Sequence, residues 1–157
     1  MSIDEITEFV TSLGGVLLLA PGPGDGSPEI SWGDVFYYYA PDGVVPRTQP
    51  FATVVTKDYP DDEGSQLDRP GVFRVNIGAD SDEFRQHTGR DRHDPETAVV
   101  DRSAADTLFA HPVYGQLGWL AVVDPGPRTD DTVRQLLRSA HDRARARYER
   151  AAATARD

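Results

Sequence analysis

Hydrophobic residues recur every three or four positions at both ends of the chain, which is the spacing of helices that bury one face. Near the beginning they are Ile3, Ile6, Val10 and Leu13. The Gly14-Gly15 pair that follows predicts the end of this helix, because glycine adopts the left-handed cap conformation freely. Near the end of the chain, a longer stripe comprises Val133, Leu136, Leu137, Ala140, Ala144 and Tyr148. Both patterns predict amphipathic helices.

Between these two helices, hydrophobic and polar residues alternate, as they do in strands with one buried face. The clearest case spans residues 71–78, where Phe73, Val75 and Ile77 point to one side and Arg74 and Asn76 to the other. Further strands are predicted at residues 16–19, 29–39, 51–57 and 117–123, and the second of these is expected to kink at Gly33.

Capping sequences and charged stretches divide the rest of the chain. Asp80 begins a sequence that predicts the cap of a short helix carrying Phe84, and Ser103 begins one that predicts a turn or two of helix up to Phe109. The acidic residues 58–69 are predicted to form an exposed loop.

This order of elements predicts the fold class. We expect an α+β fold, in which a single compact domain over residues 1–150 has an antiparallel sheet with the N- and C-terminal helices packed on one face. A length of 157 residues is suitable for one domain with a hydrophobic core. Residues 151–157 are expected to be a frayed C-terminal tail.

The charge and composition restrict the classes of partner. Asp and Glu outnumber Lys and Arg by 26 to 16, which gives a net charge of −10 and argues against nucleic acid as the main partner. No cysteine is present, which excludes disulfides and thiolate chemistry. The beginning of the chain lacks the features of a signal peptide, and the longest apolar run is too short to span a bilayer. We therefore expect a cytoplasmic protein with no membrane partner.

A candidate site emerges on the sheet face that is turned away from the helices. If the strands pair in the expected way, Lys57 and Arg74 could hold the charge of a small anionic ligand, and Asp34 would orient one of them. His111 could act as a general base. Lys57 is the single lysine of the sequence, which reflects either a site that requires a compact ammonium group or chance. The full candidate ligand-binding set is Trp32, Asp34, Lys57, Arg74, Asn76 and His111.

The same residues also have a purely structural interpretation. Lys57–Asp58 and Arg74–Asp34 could be ordinary surface ion pairs, which contribute about 0–1 kcal/mol. His111 precedes a proline and could be a cap or a turn residue, and Trp32 could belong to the core.

Specific catalytic and metal-binding motifs are missing. The glycine-rich segment 21–26 lacks the Gly-Lys-Ser/Thr ending of a phosphate-binding loop, and no Gly-x-Ser-x-Gly sequence provides a nucleophile. His87, His93 and Asp94 lie in an irregular charged segment without the spacing of metal ligands. No catalytic residue, metal site or cofactor is therefore predicted.

Several segments resemble known families. Residues 71–78 (Gly-Val-Phe-Arg-Val-Asn-Ile-Gly), 111–114 (His-Pro-Val-Tyr), 118–122 (Gly-Trp-Leu-Ala-Val) and 133–140 resemble the MmcQ/YjbR-like group. Trp32-Gly33-Asp34 and residues 51–58 (Phe-Ala-Thr-Val-Val-Thr-Lys-Asp) resemble a related family of uncharacterised proteins more closely, and this second likeness covers most of the chain. The resemblance implies an MmcQ/YjbR-like, frataxin-like α+β fold. The MmcQ/YjbR-like group is described as DNA-binding, whereas the related family has no established activity.

Three functional hypotheses follow. The preferred one is a non-enzymatic module that binds a small ligand or a protein partner through the open face of its sheet. On that hypothesis, Lys57→Ala and Arg74→Ala should abolish ligand binding and leave stability nearly unchanged. The alternative is a small enzyme that acts on an anionic substrate with His111 as base. Nucleic-acid binding through the basic last helix is the weakest alternative. The aromatic run 36–39 is also compatible with a homodimer interface.

Overall fold

A six-stranded antiparallel sheet forms the centre of the molecule in the computed structural model, which describes residues 1–156. The strands lie in the order β1-β2-β3-β4-β6-β5, so that β1 and β5 are its edges. Their bounds are β1 Val16–Leu19, β2 Val35–Tyr39, β3 Ala52–Val55, β4 Arg74–Gly78, β5 Leu108–Ala110 and β6 Trp119–Val123. The helices are α1 Ile3–Ser12, α2 Ser81–Thr88 and α3 Asp130–Arg156. This is the predicted α+β fold in a single domain.

One face of the sheet carries the helices and the main core. Alternate strand residues such as Tyr37, Val54 and Val75 contribute to it, together with Ile6 and Val10 of α1 and the apolar stripe of α3. These residues lie opposite other core residues on the neighbouring strands. Val54, for example, lies opposite Val35 of β2 and opposite Val75 of β4. The prediction that the N- and C-terminal helices pack on one face is confirmed.

The beginnings of α2 and α3 are fixed by side-chain hydrogen bonds to backbone N–H groups. Asp80 accepts from the Glu83 N–H at 2.8 Å, and the Glu83 side chain accepts from the Asp80 N–H at 3.0 Å, which is the predicted capping box of α2. The beginning of α3 is held from a distance in sequence, because the carboxylate of Asp106 accepts from the N–H groups of Gly126, Arg128 and Thr129.

The predicted helix over residues 103–109 is wrong. Leu108–Ala110 is instead strand β5, which pairs with β6. Asp106 has a φ of 54°, in the left-handed region, and its carboxylate binds residues 126–129 rather than the backbone of a helix of its own.

The predicted strand 29–39 begins only at Val35. A short 3-10 turn spans Glu29–Ser31, and Gly33 has a φ of 88°.

The segment 58–69 is irregular, as predicted, but it is exposed only in part. Asp62, Ser65 and Leu67 are buried. Leu67 packs in a second, smaller core on the face away from the helices, with Val55, Phe109, Ala121 and Val123. The segment therefore covers part of the sheet face that was expected to be open.

The last helix is the longest. It continues through residues 151–156, the segment in which we predicted a frayed tail, and Asp157 lies outside the described residues. Among residues 1–156, no helix is both long enough and apolar enough to cross a membrane.

Candidate functional site

The sheet face away from the helices contains a cleft of about 610 Å³, bounded by the segment that follows β3 and by residues 113–114. This volume lies within the range of small-molecule sites, roughly 300–1,000 Å³. The walls are aromatic and comprise Phe36, Tyr38, Tyr59, Tyr114 and Trp119. The floor is polar and comprises Thr53, Asp62, Arg74, Asn76 and His111.

Strand alternation brings the polar floor together. Arg74 and Asn76 are two residues apart on β4 and therefore point to the same side. Thr53 lies directly opposite Asn76 on β3, and the Asn76 Nδ2 group donates to the Thr53 hydroxyl at 3.0 Å. His111 follows β5 immediately, and its backbone N–H donates to the Trp119 backbone carbonyl at 2.9 Å.

Arg74 is the central buried group of the cleft, with only 1% of its surface exposed. Its two terminal nitrogens donate to the two oxygens of Asp62 at 3.0 and 2.6 Å, which is a bidentate ion pair. Its Nε donates to the Asn76 side-chain oxygen at 2.8 Å, and Nη1 also donates to the Ser65 hydroxyl at 3.1 Å. Burial works to raise the pKa of Asp62, but the hydrogen bonds and charge of Arg74 outweigh it and lower that pKa.

His111 is buried and is held in place by its own chain. Its Nδ1 accepts from the N–H groups of Val113 and Tyr114 at 3.1 and 3.0 Å, so Nδ1 carries no proton. Burial lowers the pKa of His111 to about 4, and the positive charge of Arg74 adds to this effect against the opposing charge of Asp62. The ring is therefore neutral at pH 7, and its single proton is on Nε2.

This tautomer sets two donors against each other. The His111 Nε2 lies 3.2 Å from the Arg74 Nη2. A guanidinium nitrogen can only donate, and a protonated Nε2 also donates, so neither group accepts from the other. Within residues 1–156, the Nε2 proton has no other protein acceptor within hydrogen-bond distance. The lone pair of Nδ1 already accepts from two backbone N–H groups, and Nε2 carries the proton. The ring therefore has no free lone pair with which to take a proton from a substrate.

Asp34 and Lys57 form a separate cluster next to the cleft. The Lys57 ammonium donates to Asp34 Oδ1 at 3.0 Å and to the Trp32 carbonyl at 2.6 Å. The fully buried Asp34 also accepts from the N–H and hydroxyl of Thr56, at 2.8 and 3.0 Å, and from the hydroxyl of Tyr59. Burial raises the pKa of Tyr59, and Asp34 adds to this effect through the hydrogen bond and its charge. Tyr59 connects the Asp34–Lys57 cluster to the cleft, because its hydroxyl binds Asp34 and its side chain also lines the cleft.

The structure thus divides the residues of the predicted site. Arg74, Asn76 and His111 lie together in the cleft, whereas Trp32, Asp34 and Lys57 do not line it. The predicted pairing of Arg74 with Asp34 is wrong, because Arg74 pairs with Asp62 and Asp34 with Lys57. His111 is a turn-capping residue, which is the structural interpretation of it given above, because its ring accepts from the N–H groups of residues 113–114.

Sequence reasoning missed Asp62 and most of the aromatic wall. Asp62 was assigned to a solvated loop, and nothing in the local pattern distinguishes it from Asp61. The sequence does indicate the position of Phe36 and Tyr38, because they alternate along β2 with the core residues Val35 and Tyr37 and so lie on the opposite face. Within residues 1–156, no group of three or more His, Cys, Asp or Glu side chains is arranged to hold a metal ion.

The fold and the cleft define an α+β domain with a covered, aromatic-walled sheet face. The chain belongs to the family described as a family of unknown function (DUF6194), whose profile matches residues 1–153. No curated protein and no solved structure matches the chain. The predicted resemblance to an uncharacterised family is confirmed at that level, and the resemblance to the MmcQ/YjbR-like group stays a prediction.

Proposed function

We propose that this protein is a non-enzymatic binding domain that takes a small molecule into the cleft on its sheet face. The observation that carries the proposal is the combination of a 610 Å³ cleft, an aromatic wall and a buried polar floor. Small-molecule sites have this composition, with apolar walls for affinity and a few polar groups for orientation.

The groups in the cleft favour binding over catalysis. A general base needs a free lone pair within reach of the substrate. The Nδ1 lone pair of His111 is occupied by two backbone N–H groups, and the carboxylate of Asp62 is held by both terminal nitrogens of Arg74. The enzyme hypothesis with His111 as base therefore lacks the proton acceptor that it requires.

Both cations in and near the cleft are paired with carboxylates of the protein. Arg74 pairs with Asp62, Lys57 pairs with Asp34, and Asp61 adds a further carboxylate to the cleft lining. An anionic ligand was expected from the sequence, but neither cation is available to neutralise it. An uncharged ligand needs no such cation and therefore fits the cleft better. Nucleic acid is disfavoured for the same reason, because a protein with a net charge of −10 repels the phosphate backbone.

A fragment-binding experiment with matched variants tests the proposal. A panel of small aromatic compounds is screened by ligand-detected NMR, and hits are titrated against the wild type, Val113→Ala and Leu117→Ala. These two residues lie in one segment and are exposed by 47% and 56%, but only Val113 lines the cleft. We expect hits whose affinity falls several-fold in Val113→Ala and is retained in Leu117→Ala.

Two results would contradict the proposal. Equal losses in both variants would place binding outside the cleft. A panel without hits, together with a stable dimer in light scattering that Val113→Asp dissociates, would identify this face as an interface between copies of the chain.

A further inference from the structure

The two donors on the cleft floor define a requirement for the ligand. Arg74 Nη2 and His111 Nε2 lie 3.2 Å apart, both residues line the cleft, and the hydrogen bonds at Nδ1 leave the single ring proton on Nε2. Only 1% of Arg74 and 6% of His111 is exposed. One Nη2 proton of Arg74 binds Asp62, but within residues 1–156 its second proton and the Nε2 proton of His111 have no protein acceptor. A buried donor proton without an acceptor costs free energy, so an acceptor atom that contacts both would be favoured at this point.

The rest of the floor is also rich in donors. The Thr53 hydroxyl accepts from Asn76, and within residues 1–156 its own proton has no protein acceptor at hydrogen-bond distance. The oxygens of Asp62, in contrast, are engaged by Arg74. At Arg74, His111 and Thr53 a ligand therefore meets donor protons and must supply acceptors, whereas the Asp61 carboxylate lies elsewhere in the lining.

We propose that the cleft is specific for an uncharged, planar aromatic compound with a carbonyl oxygen, which is bound by Arg74 and His111 together while its ring lies against the aromatic wall. This inference rests on the proposed binding function and names the ligand class of the same site. A carbonyl oxygen has two lone pairs and can accept from both donors. A carboxylate would provide the same acceptor but would bring a charge next to Asp61 and Asp62.

Three isosteric probes separate the chemistry of the ligand. Benzamide presents a neutral carbonyl, benzoate an anionic carboxylate, and benzamidine only donors on a cationic group of the same shape. At neutral pH we expect benzamide to bind roughly tenfold more tightly than benzamidine, which corresponds to two ordinary hydrogen bonds. Benzoate is expected to bind more weakly than benzamide.

His111→Asn removes the donor and keeps the local fold. The side-chain oxygen of asparagine can take the place of Nδ1 and accept from the Val113 and Tyr114 N–H groups, but asparagine has no group at the position of Nε2. In this variant we expect the tenfold preference for benzamide over benzamidine to fall to about threefold, because the Arg74 donor remains, while binding to the aromatic wall is kept. A thermal melt close to that of the wild type is the control for folding.

A second measurement keeps the inference testable if the variant unfolds. Long-range proton–nitrogen correlation spectra of the wild-type imidazole report the tautomer directly, and we expect the proton on Nε2. A proton on Nδ1, tighter binding of benzamidine or benzoate, or an unchanged preference in His111→Asn would each overturn the inference. If the probes bind in the cleft without discrimination, the ligand class is wrong and the binding function stands. If none of them binds there and the wider panel also fails, both are wrong.

Discussion

Arg74 places a positive charge almost completely inside the protein, on the sheet face opposite the helices. Four different side chains lie within hydrogen-bond distance of its nitrogens, and the bidentate contact with Asp62 compensates its charge. Removing one member of a buried ion pair is costly, because the remaining charge keeps its desolvation penalty and loses its partner. The residue is therefore a structural element of the cleft as well as part of its floor.

Arg74→Ala should therefore destabilise the protein by about 3–5 kcal/mol, because Asp62 would be left buried and uncompensated. This replaces the expectation from sequence that the variant keeps its stability. Urea unfolding measures the effect, and Arg85→Ala is the control, since the ion pairs of Arg85 with Asp82 and Asp91 are exposed and should contribute less than about 1 kcal/mol. A loss below 1 kcal/mol in Arg74→Ala would contradict the structural role.

The protonation of His111 predicts a dependence of stability on pH. The folded protein holds the pKa of this ring at about 4, below its ordinary value of 6.5, so the unfolded chain binds the proton more readily. The resulting stability is fully present above pH 6.5 and is lost as the pH falls through 6.5 towards 4, by up to about 3 kcal/mol. Urea unfolding across this range should show the decrease, and His111→Asn should flatten it. A wild-type stability that is constant down to pH 4 would contradict the assignment.

At the scale of secondary-structure elements, contacts between distant segments determine which local pattern prevails. The cap-like sequence at residues 103–106 predicts a helix, but Asp106 directs its carboxylate to the beginning of α3 and the chain continues into β5. The strand at residues 71–78 was predicted with the correct faces, because its alternation results from burial on one side. A local pattern is therefore informative where burial creates it and fails where a distant partner competes for the same groups.

Asp106 should be needed for the beginning of α3. The loss of solvent works to raise its pKa, but hydrogen bonds from Thr129, Arg128 and Gly126 outweigh this and lower the pKa to about 2. We expect Asp106→Ala to lower the melting temperature and to speed amide hydrogen exchange at residues 126–129. Asp106→Asn should lie between this variant and the wild type, because asparagine tolerates the left-handed backbone but carries no charge.

The control for Asp106 is Asp101→Ala. Asp101 accepts only locally, from the N–H and hydroxyl of Ser103. Its loss should leave the exchange of residues 126–129 unchanged. Equal effects of the two alanine variants on that exchange would contradict a specific role of Asp106.

At the scale of the whole molecule, the two faces of the sheet differ in how far they could be predicted. The helical face follows from hydrophobic periodicity, and its residues and helices lie as expected. The second face depends on the segment 58–69, which folds over the sheet through Leu67 and brings Asp62 to Arg74. That contact joins residues with no shared sequence pattern, so the sequence placed Arg74, Asn76 and His111 on one face but did not indicate their partners.

Amide chemical-shift mapping tests most directly whether the aromatic-walled cleft binds a small molecule. A nitrogen-15-labelled sample of the wild type is titrated with the aromatic fragments, and the shifts of all assigned backbone amides are followed. We predict saturable shifts concentrated at Thr53, Asn76, Val113 and Tyr114, with little change along α3. Saturable shifts that are confined to the helical face, or their absence for every fragment, would contradict the account.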